Sequence, residues 1–217
     1  MRLAVFDCDG TLVDSQANVC RAMDEAFLLS ALDPPPRERT RAIVGLSLVE
    51  AMRALLPDAD EARHRRLAAD YKDGFQRLRQ SGGLDPEPLF EGVADVLTAL
   101  TDDGWLLGVA TGKSDRGLAH VLAAHGLEGR FATLQTADRH PSKPDPAMLL
   151  AAMAEVGARP DETAMIGDTS FDMAMARAAG ARAVGVAWGY HSVADLLDAR
   201  ADVVANTAAA LPGLLAA

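Results

Sequence analysis

The sequence predicts an α/β protein, a three-layer α/β/α arrangement on a parallel sheet, with a block of helices inserted after the first strand. Three observations predict it. An apolar run, Leu3 to Phe6, stops abruptly at Asp7, as a buried strand does. From Gly92 onward, short apolar strands alternate with helical stretches, the pattern of a parallel sheet covered on both faces. Between these regions, from Ser15 to about Ser81, every periodic stretch is helical.

Taken in order, the elements justify that reading. Val19, Met23 and Phe27 recur at four-residue spacing, which places them on one face of a helix. Asp33-Pro34-Pro35-Pro36 breaks that helix from the next. Leu48, Met52, Leu55 and Leu56 mark another helix, ended at Pro57-Asp58, and a long charged helix runs from about Asp60 to Gln80. The run Arg63-His64-Arg65-Arg66 within it reads as a solvated face. Ser81 to Pro88, with Gly82, Gly83 and Pro86, is the clearest linker. A helix from Val93 to Asp103 follows, then a strand from Leu106 to Ala110, a helix near Asp115 to His125 and a short strand around Thr133. A helix from Pro146 to Val156 leads to a strand at Ala164 to Ile166 and a helix at Phe171 to Ala179. A strand at Ala183 to Val186, a helix at Val193 to Ala199 and a last short strand at Val203 complete the alternation. The expected division is a core of residues 1–14 and 89–217 and a helical block of residues 15–88, tethered by two passes of chain and so placed to act as a lid.

Composition narrows the function classes. At 217 residues and 49% apolar content the chain can bury a sizeable core, as one large domain or a core with a smaller insert. No apolar run approaches the roughly 18 residues of a membrane span. A net charge of −10 and the lack of a basic stripe argue against nucleic-acid binding. With two cysteines, one of them inside the first acidic motif, and no visible export leader, a reducing cytoplasm is the expected location. The expected assembly is a monomer or a homodimer.

In open parallel sheets ligands bind beyond the carboxyl ends of the strands. The first strand ends in Asp7-Cys8-Asp9-Gly10-Thr11, two carboxylates two residues apart followed by a turn and a hydroxyl. Such a pair suits a divalent cation and phosphoryl chemistry. At residue frequencies of roughly 5%, its four fixed positions arise by chance about once in 10⁵ windows. The strand Leu106 to Ala110 ends in Thr111-Gly112-Lys113, Ser142-Lys143-Pro144-Asp145 precedes a helix, and Gly167-Asp168-Thr169-Ser170-Phe171-Asp172 follows Ile166. Lysine is scarce, three residues against eighteen arginines, which makes a lysine held between a turn and Pro-Asp informative.

These four segments, in this order and spacing, resemble the four motifs of the haloacid dehalogenase superfamily. The resemblance covers essentially the whole chain, and its nearest subgroup is the branch of phosphoglycolate phosphatase and β-phosphoglucomutase (subfamily IA). It implies a Rossmann-like core, with the helical insertion as a C1-type cap. It further implies a Mg²⁺-dependent phosphatase of a small phosphorylated metabolite, phosphoglycolate or a sugar phosphate, working through an aspartyl-phosphate. Asp7 is then the nucleophile, Asp9 the general acid and base, and Lys143 the neutraliser of developing charge. Thr111, Gly112 and Lys143 hold the phosphoryl oxygens; Asp7, Asp9 (through its carbonyl) and Asp168 hold Mg²⁺; Asp172 supports the metal's waters or orients Lys143. Substrate choice falls to the cap, where Arg41, Gly45 and Ser47 are the candidate readers. An acid at position 9 separates the chain from the dehalogenases proper. Lys72 lies too late in the insertion to resemble the Schiff-base lysine of phosphonoacetaldehyde hydrolases. A sugar-phosphate mutase is the alternative reading, and a non-catalytic binding protein is a third.

Overall fold

The computed structural model describes residues 1–216. Six strands form one all-parallel sheet: β1 (Leu3–Phe6), β2 (Leu106–Thr111), β3 (Thr133–Thr136), β4 (Thr163–Gly167), β5 (Arg182–Val186) and β6 (Val203–Ala205). Their spatial order is β3-β2-β1-β4-β5-β6. The chain therefore leaves β1 toward one side of the sheet and later returns to its other side, so the crevice beyond β1 is the position where such sheets bind ligands. Register fixes what meets there. Phe6 lies opposite Val109 on one side and Ile166 on the other, which brings Asp7 alongside the ends of β2 and β4.

Burial explains why β1 reads as an unbroken apolar run. Ala4 and Phe6 enter the core on one face of the sheet, while Leu3 and Val5 enter the core on the other. The first face is covered by α5 (Val93–Asp102), α6 (Asp115–Ala124) and α10 (Leu211–Ala216). The second is covered by α7 (Ala147–Val156), α8 (Ser170–Ala179) and α9 (Val193–Asp198). Helix α10 lies beyond the last element expected from the sequence; Pro212 sits in its first turn, where no amide is missed, and Leu211 and Leu215 anchor it. The sheet itself, the helices on both faces and the helical insertion match the architecture expected from the sequence.

The inserted block comprises α1 (Gln16–Leu29), α2 (Arg37–Arg41), α3 (Leu48–Leu55) and α4 (Glu61–Gln80). It has a core of its own, in which Met23 and Phe27 meet Met52, Leu55, Leu67 and Tyr71. Within the basic run of α4 only His64 is buried, its Nε2 2.8 Å from the Leu56 carbonyl, and the arginines face solvent. Where the chain enters and leaves the block, its two passes run side by side. Val13 pairs antiparallel with Leu89, the Asp14 amide donates to Pro88 (2.9 Å), and the Phe90 amide donates to Leu12 (3.0 Å). No described helix is long and apolar enough to cross a membrane.

Candidate active site

Asp7 is the first residue past β1 and is fully buried. Its Oδ1 accepts from the Cys8 amide (2.7 Å) and lies 2.9 Å from Lys143 Nζ; its Oδ2 is buried with no partner among the described residues. Lys143 Nζ also reaches Asp172 Oδ1 at 2.7 Å, so one buried ammonium lies between two buried carboxylates. Asp172 is fixed by the capping box that starts α8: its Oδ2 accepts from the Thr169 amide (3.1 Å) and hydroxyl (2.7 Å). The same residue thus closes a helix end and aims a lysine. Asp168 accepts from the Thr11 hydroxyl (2.8 Å) and the Tyr190 amide (2.9 Å).

Asp9 is oriented otherwise. Gly10 turns the chain at φ +84°, so close to Asp168 that a Cβ would lie 2.2 Å from Oδ2. Asp9 Oδ1 pairs with Lys113 Nζ at 2.8 Å and accepts from the Ser15 hydroxyl. The two aspartates of the first motif therefore share an edge of the sheet, but each has its own lysine.

Electrostatics show what the cluster lacks. Burial pushes the Asp7 carboxyl up to about 7 despite the pull of Lys143, with Asp172 and Asp9 adding to the rise. Burial, and then the charges of Asp7 and Asp172, hold Asp168 well above the usual carboxylate range. Burial works against the charge on Lys143, yet the carboxylates of Asp172 and Asp7 keep its pKa above the ordinary lysine value. Fully ionised, the four carboxylates (Asp7, Asp9, Asp168 and Asp172) would exceed the two ammoniums (Lys113 and Lys143) by two negative charges, the complement of one divalent cation. Asp7, Asp168 and Asp172 each offer an oxygen within 4.8 Å of the others, a group able to hold a metal ion. Hard oxygen donors and the orphaned Asp7 Oδ2 fit such an ion. The carboxylate that joins Asp7 and Asp168 is Asp172; Asp9 turns its side chain to Lys113, leaving only its backbone carbonyl as a ligand of the kind expected from the resemblance.

Thr111, at the end of β2, is fully buried, and its Oγ1 accepts from the Lys113 amide at 3.2 Å. Gly112 lies against the helical block, where a Cβ would come 2.6 Å from the Leu46 carbonyl oxygen and 2.8 Å from that of Gly45. Nearby, the Ser47 amide donates to Ser142 Oγ (2.8 Å), and His191 Nε2 lies 3.2 Å from the Ala42 carbonyl. Gly45 and Ser47 thus seat the block on the core. We predict that Gly112→Ala forces these backbones apart at about 1–3 kcal/mol, the usual range for overpacking, lowering Tm by roughly 2–12 °C and kcat/KM roughly 5- to 100-fold. Steady-state kinetics beside a melting curve check it; undiminished kcat/KM would show that this approach is not needed for turnover.

A cavity of about 460 Å³ lies between block and core. Asp9, Gly112 and Lys113 line it from the core, and Gly45 and Ser47 from the block. Arg41 is not among its lining residues; its Nε is buried without a partner elsewhere in the block. The cations that do line it are Lys72, Arg79, Lys113 and Arg116, none of which was assigned a role from the sequence. The signal was present in α4, because Lys72, Phe75, Gln76 and Arg79 recur at helical spacing, one stripe over from the buried Leu67, Ala68 and Tyr71.

Residues 1–180 match the model of the haloacid dehalogenase-like hydrolases. The chain is 38% identical to "Probable phosphatase IndB" of Dickeya dadantii, over 94% of this chain and 89% of that protein. It is 34% identical to a phosphoglycolate phosphatase of Chromobacterium violaceum, over 99% and 96% of the two chains. The crystal structure of a hydrolase from Pseudomonas syringae superposes with a TM-score of 0.86 at 26% identity, covering 99% of this chain and 98% of that one. The chain belongs to the haloacid dehalogenase-like hydrolase family, in its phosphoglycolate phosphatase-like branch.

Proposed function

We propose that the protein hydrolyses a small phosphate monoester in two displacements, with the phosphoryl group carried on Asp7. The observation that carries this reading is the Asp7 carboxylate itself: buried, positioned by the Cys8 amide and Lys143, with its second oxygen free of any partner among the described residues. In the first displacement an Asp7 oxygen forms a bond to phosphorus and the ester P–O bond breaks. Asp9 lines the cavity into which the leaving alcohol projects; its protonated form gives up the proton that the departing oxygen needs. In the second, Asp9 takes a proton from water as that water attacks phosphorus, and Asp7 is released as carboxylate. Lys143 balances the charge that builds on the phosphoryl oxygens, and Asp172 keeps its ammonium in place. Thr111 and the backbone at Gly112 stand beside the same oxygens.

Mg²⁺ is the cation this oxygen-donor set suits; Asp7, Asp168 and the Asp9 carbonyl would hold it, with Asp172 beside them, and it would screen the attacking carboxylate from the anionic phosphate. A prediction follows from the raised carboxyl of Asp7. A folded-state pKa of about 7, above the ordinary carboxylate value of about 3.8, means that this group's contribution to stability is present below about pH 4 and is lost as pH rises through about 7. A cation bound by ionised carboxylates then stabilises most at high pH. At about 100 times its Kd, Mg²⁺ is expected to add about 2.7 kcal/mol, roughly 5–10 °C in Tm at pH 8, and clearly less at pH 5. Melting curves in Mg²⁺ and in chelator check both; an equal or larger increment at pH 5 would contradict it.

The direct test of function is phosphate release from a panel of monoesters, including phosphoglycolate, hexose phosphates and β-glucose 1-phosphate, with Mg²⁺ and with chelator. Chelator-sensitive release supports the phosphatase. Isomerisation of β-glucose 1-phosphate without free phosphate would move the assignment to a mutase.

A further inference from the structure

The reaction described above uses the core edge of the cavity; the rest of its wall has no part in that chemistry. Toward the block much of the wall is apolar, formed by Met23, Ile43, Val44, Leu48, Tyr71 and Phe75, with the polar Ser47 and Gln76 among them. Few of these offer a partner to a sugar hydroxyl, and a hydroxyl buried among them without a hydrogen bond is costly. Volume leaves room for an alcohol larger than glycolate. A glycolate-sized leaving group takes the room of three or four waters, about 100 Å³ at roughly 30 Å³ each. The cavity has about 460 Å³, inside the roughly 300–1,000 Å³ range of sites that enclose a ring-sized organic molecule.

Charge is unevenly placed in the same wall. The chain carries ten more acidic than basic side chains, yet Lys72, Arg79 and Arg116 meet here, and among the described residues none of them forms a salt bridge. Arg116 Nη2 donates only to the neutral Gln76 Oε1, at 3.1 Å. The Arg79 guanidinium stands 5.3 Å from the centre of the Phe75 ring, with its buried Nε unpartnered. Lys113 is already committed to Asp9. Three cations without an ion pair among the described residues, two of them (Lys72 and Arg116) exposed and with the Asp138 carboxylate also in the lining, stand beside this wall as the complement of a ligand with an apolar body and an anionic end.

We infer that the substrate is a phosphate monoester whose alcohol part is apolar, about the size of an aromatic ring, and bears a second negative group that meets Arg79, Lys72 and Arg116. This inference rests on the phosphatase reading and narrows it: the phosphoryl end is held by the core, and the choice of alcohol is made by helix α4.

The test compares 4-carboxyphenyl phosphate with 4-carbamoylphenyl phosphate, a neutral ester of the same shape, using phosphoglycolate and glucose 6-phosphate as references. In the wild-type protein with Mg²⁺, the acid is expected to exceed the amide in kcat/KM by about tenfold or more, chiefly through KM, as one charge-assisted hydrogen bond provides. Both aryl esters are expected to exceed the two references. In Arg79→Gln/Lys72→Gln/Arg116→Gln the ratio of acid to amide is expected to fall to about one. Because the readout is a ratio within one protein, a variant that folds less fully does not obscure it. Equal kcat/KM for acid and amide in the wild type, an acid preference that survives the triple substitution, or a preference for the small or sugar esters would each overturn the inference while leaving the phosphatase standing. Release of phosphate from none of the four esters would bring down the phosphatase reading itself, and the inference with it.

Discussion

Asp7→Asn is expected to lower phosphate release roughly 10⁵-fold or more while leaving the protein at least as stable as before. The two halves of that expectation come from different properties of one side chain. An amide keeps the shape of the carboxyl, and its oxygen can still accept from the Cys8 amide and Lys143, so the local geometry survives. It has no anionic oxygen to form a bond to phosphorus, and loss of an enzyme's nucleophile costs on the order of 10⁶ in kcat where other features of the site persist. Stability is preserved because burial already holds the Asp7 carboxyl up at about 7; replacing it with a neutral group removes a charge that the fold disfavours. Parallel assays of phosphate release and Tm in chelator separate the two effects. A fall in Tm that accounts for the lost activity would make Asp7 a structural residue. Rapid acid quench adds a direct readout: the wild-type protein should carry the mass of one phosphoryl group on the peptide containing Asp7, and the variant should not.

The position of Asp7 was legible in the sequence because a single physical rule places it. A fully apolar strand that ends in an acid marks the carboxyl edge of a parallel sheet, and the same rule reads Thr111, Lys143 and Asp168 at or beside that edge. Asp172 follows from the helix that begins there. What the rule cannot supply is pairing. Which lysine meets which aspartate depends on the turn at Gly10 and on the path of the loop carrying Lys143, and neither has a periodic signature. The helical block shows the complementary failure. Its helices are legible from apolar spacing, and of the candidate readers Arg41, Gly45 and Ser47 the last two line the cavity while Arg41 does not. Two of the cations facing the cavity, Lys72 and Arg79, come from α4, whose charge density reads as solvation. A helix can be solvated on one face and functional on the next, and charge content alone does not separate them.

Lys143→Met is the substitution in which folding and catalysis are most closely joined. Lys143 is among the largest fully buried side chains, and methionine is close to it in length and volume, so little packing is lost. The ammonium is lost, and with it the partner of both Asp7 and Asp172. Removing one member of a buried ionic group costs about 3–5 kcal/mol, because the remaining charges stay buried. In a protein of this size that is roughly 6–20 °C in Tm. The loss is expected in chelator at pH 8 and should shrink toward pH 5, where Asp7 takes up a proton and one of the two orphaned charges disappears. Mg²⁺ should restore much of the stability, since a divalent cation can neutralise the same carboxylates. It should not restore turnover: loss of a charge-stabilising donor leaves kcat about 10²–10³-fold down however well the protein folds. Recovery of Tm without recovery of kcat would show that Lys143 acts on the reacting phosphoryl group as well as on the fold. Recovery of both would reduce it to a counter-ion that the metal can replace.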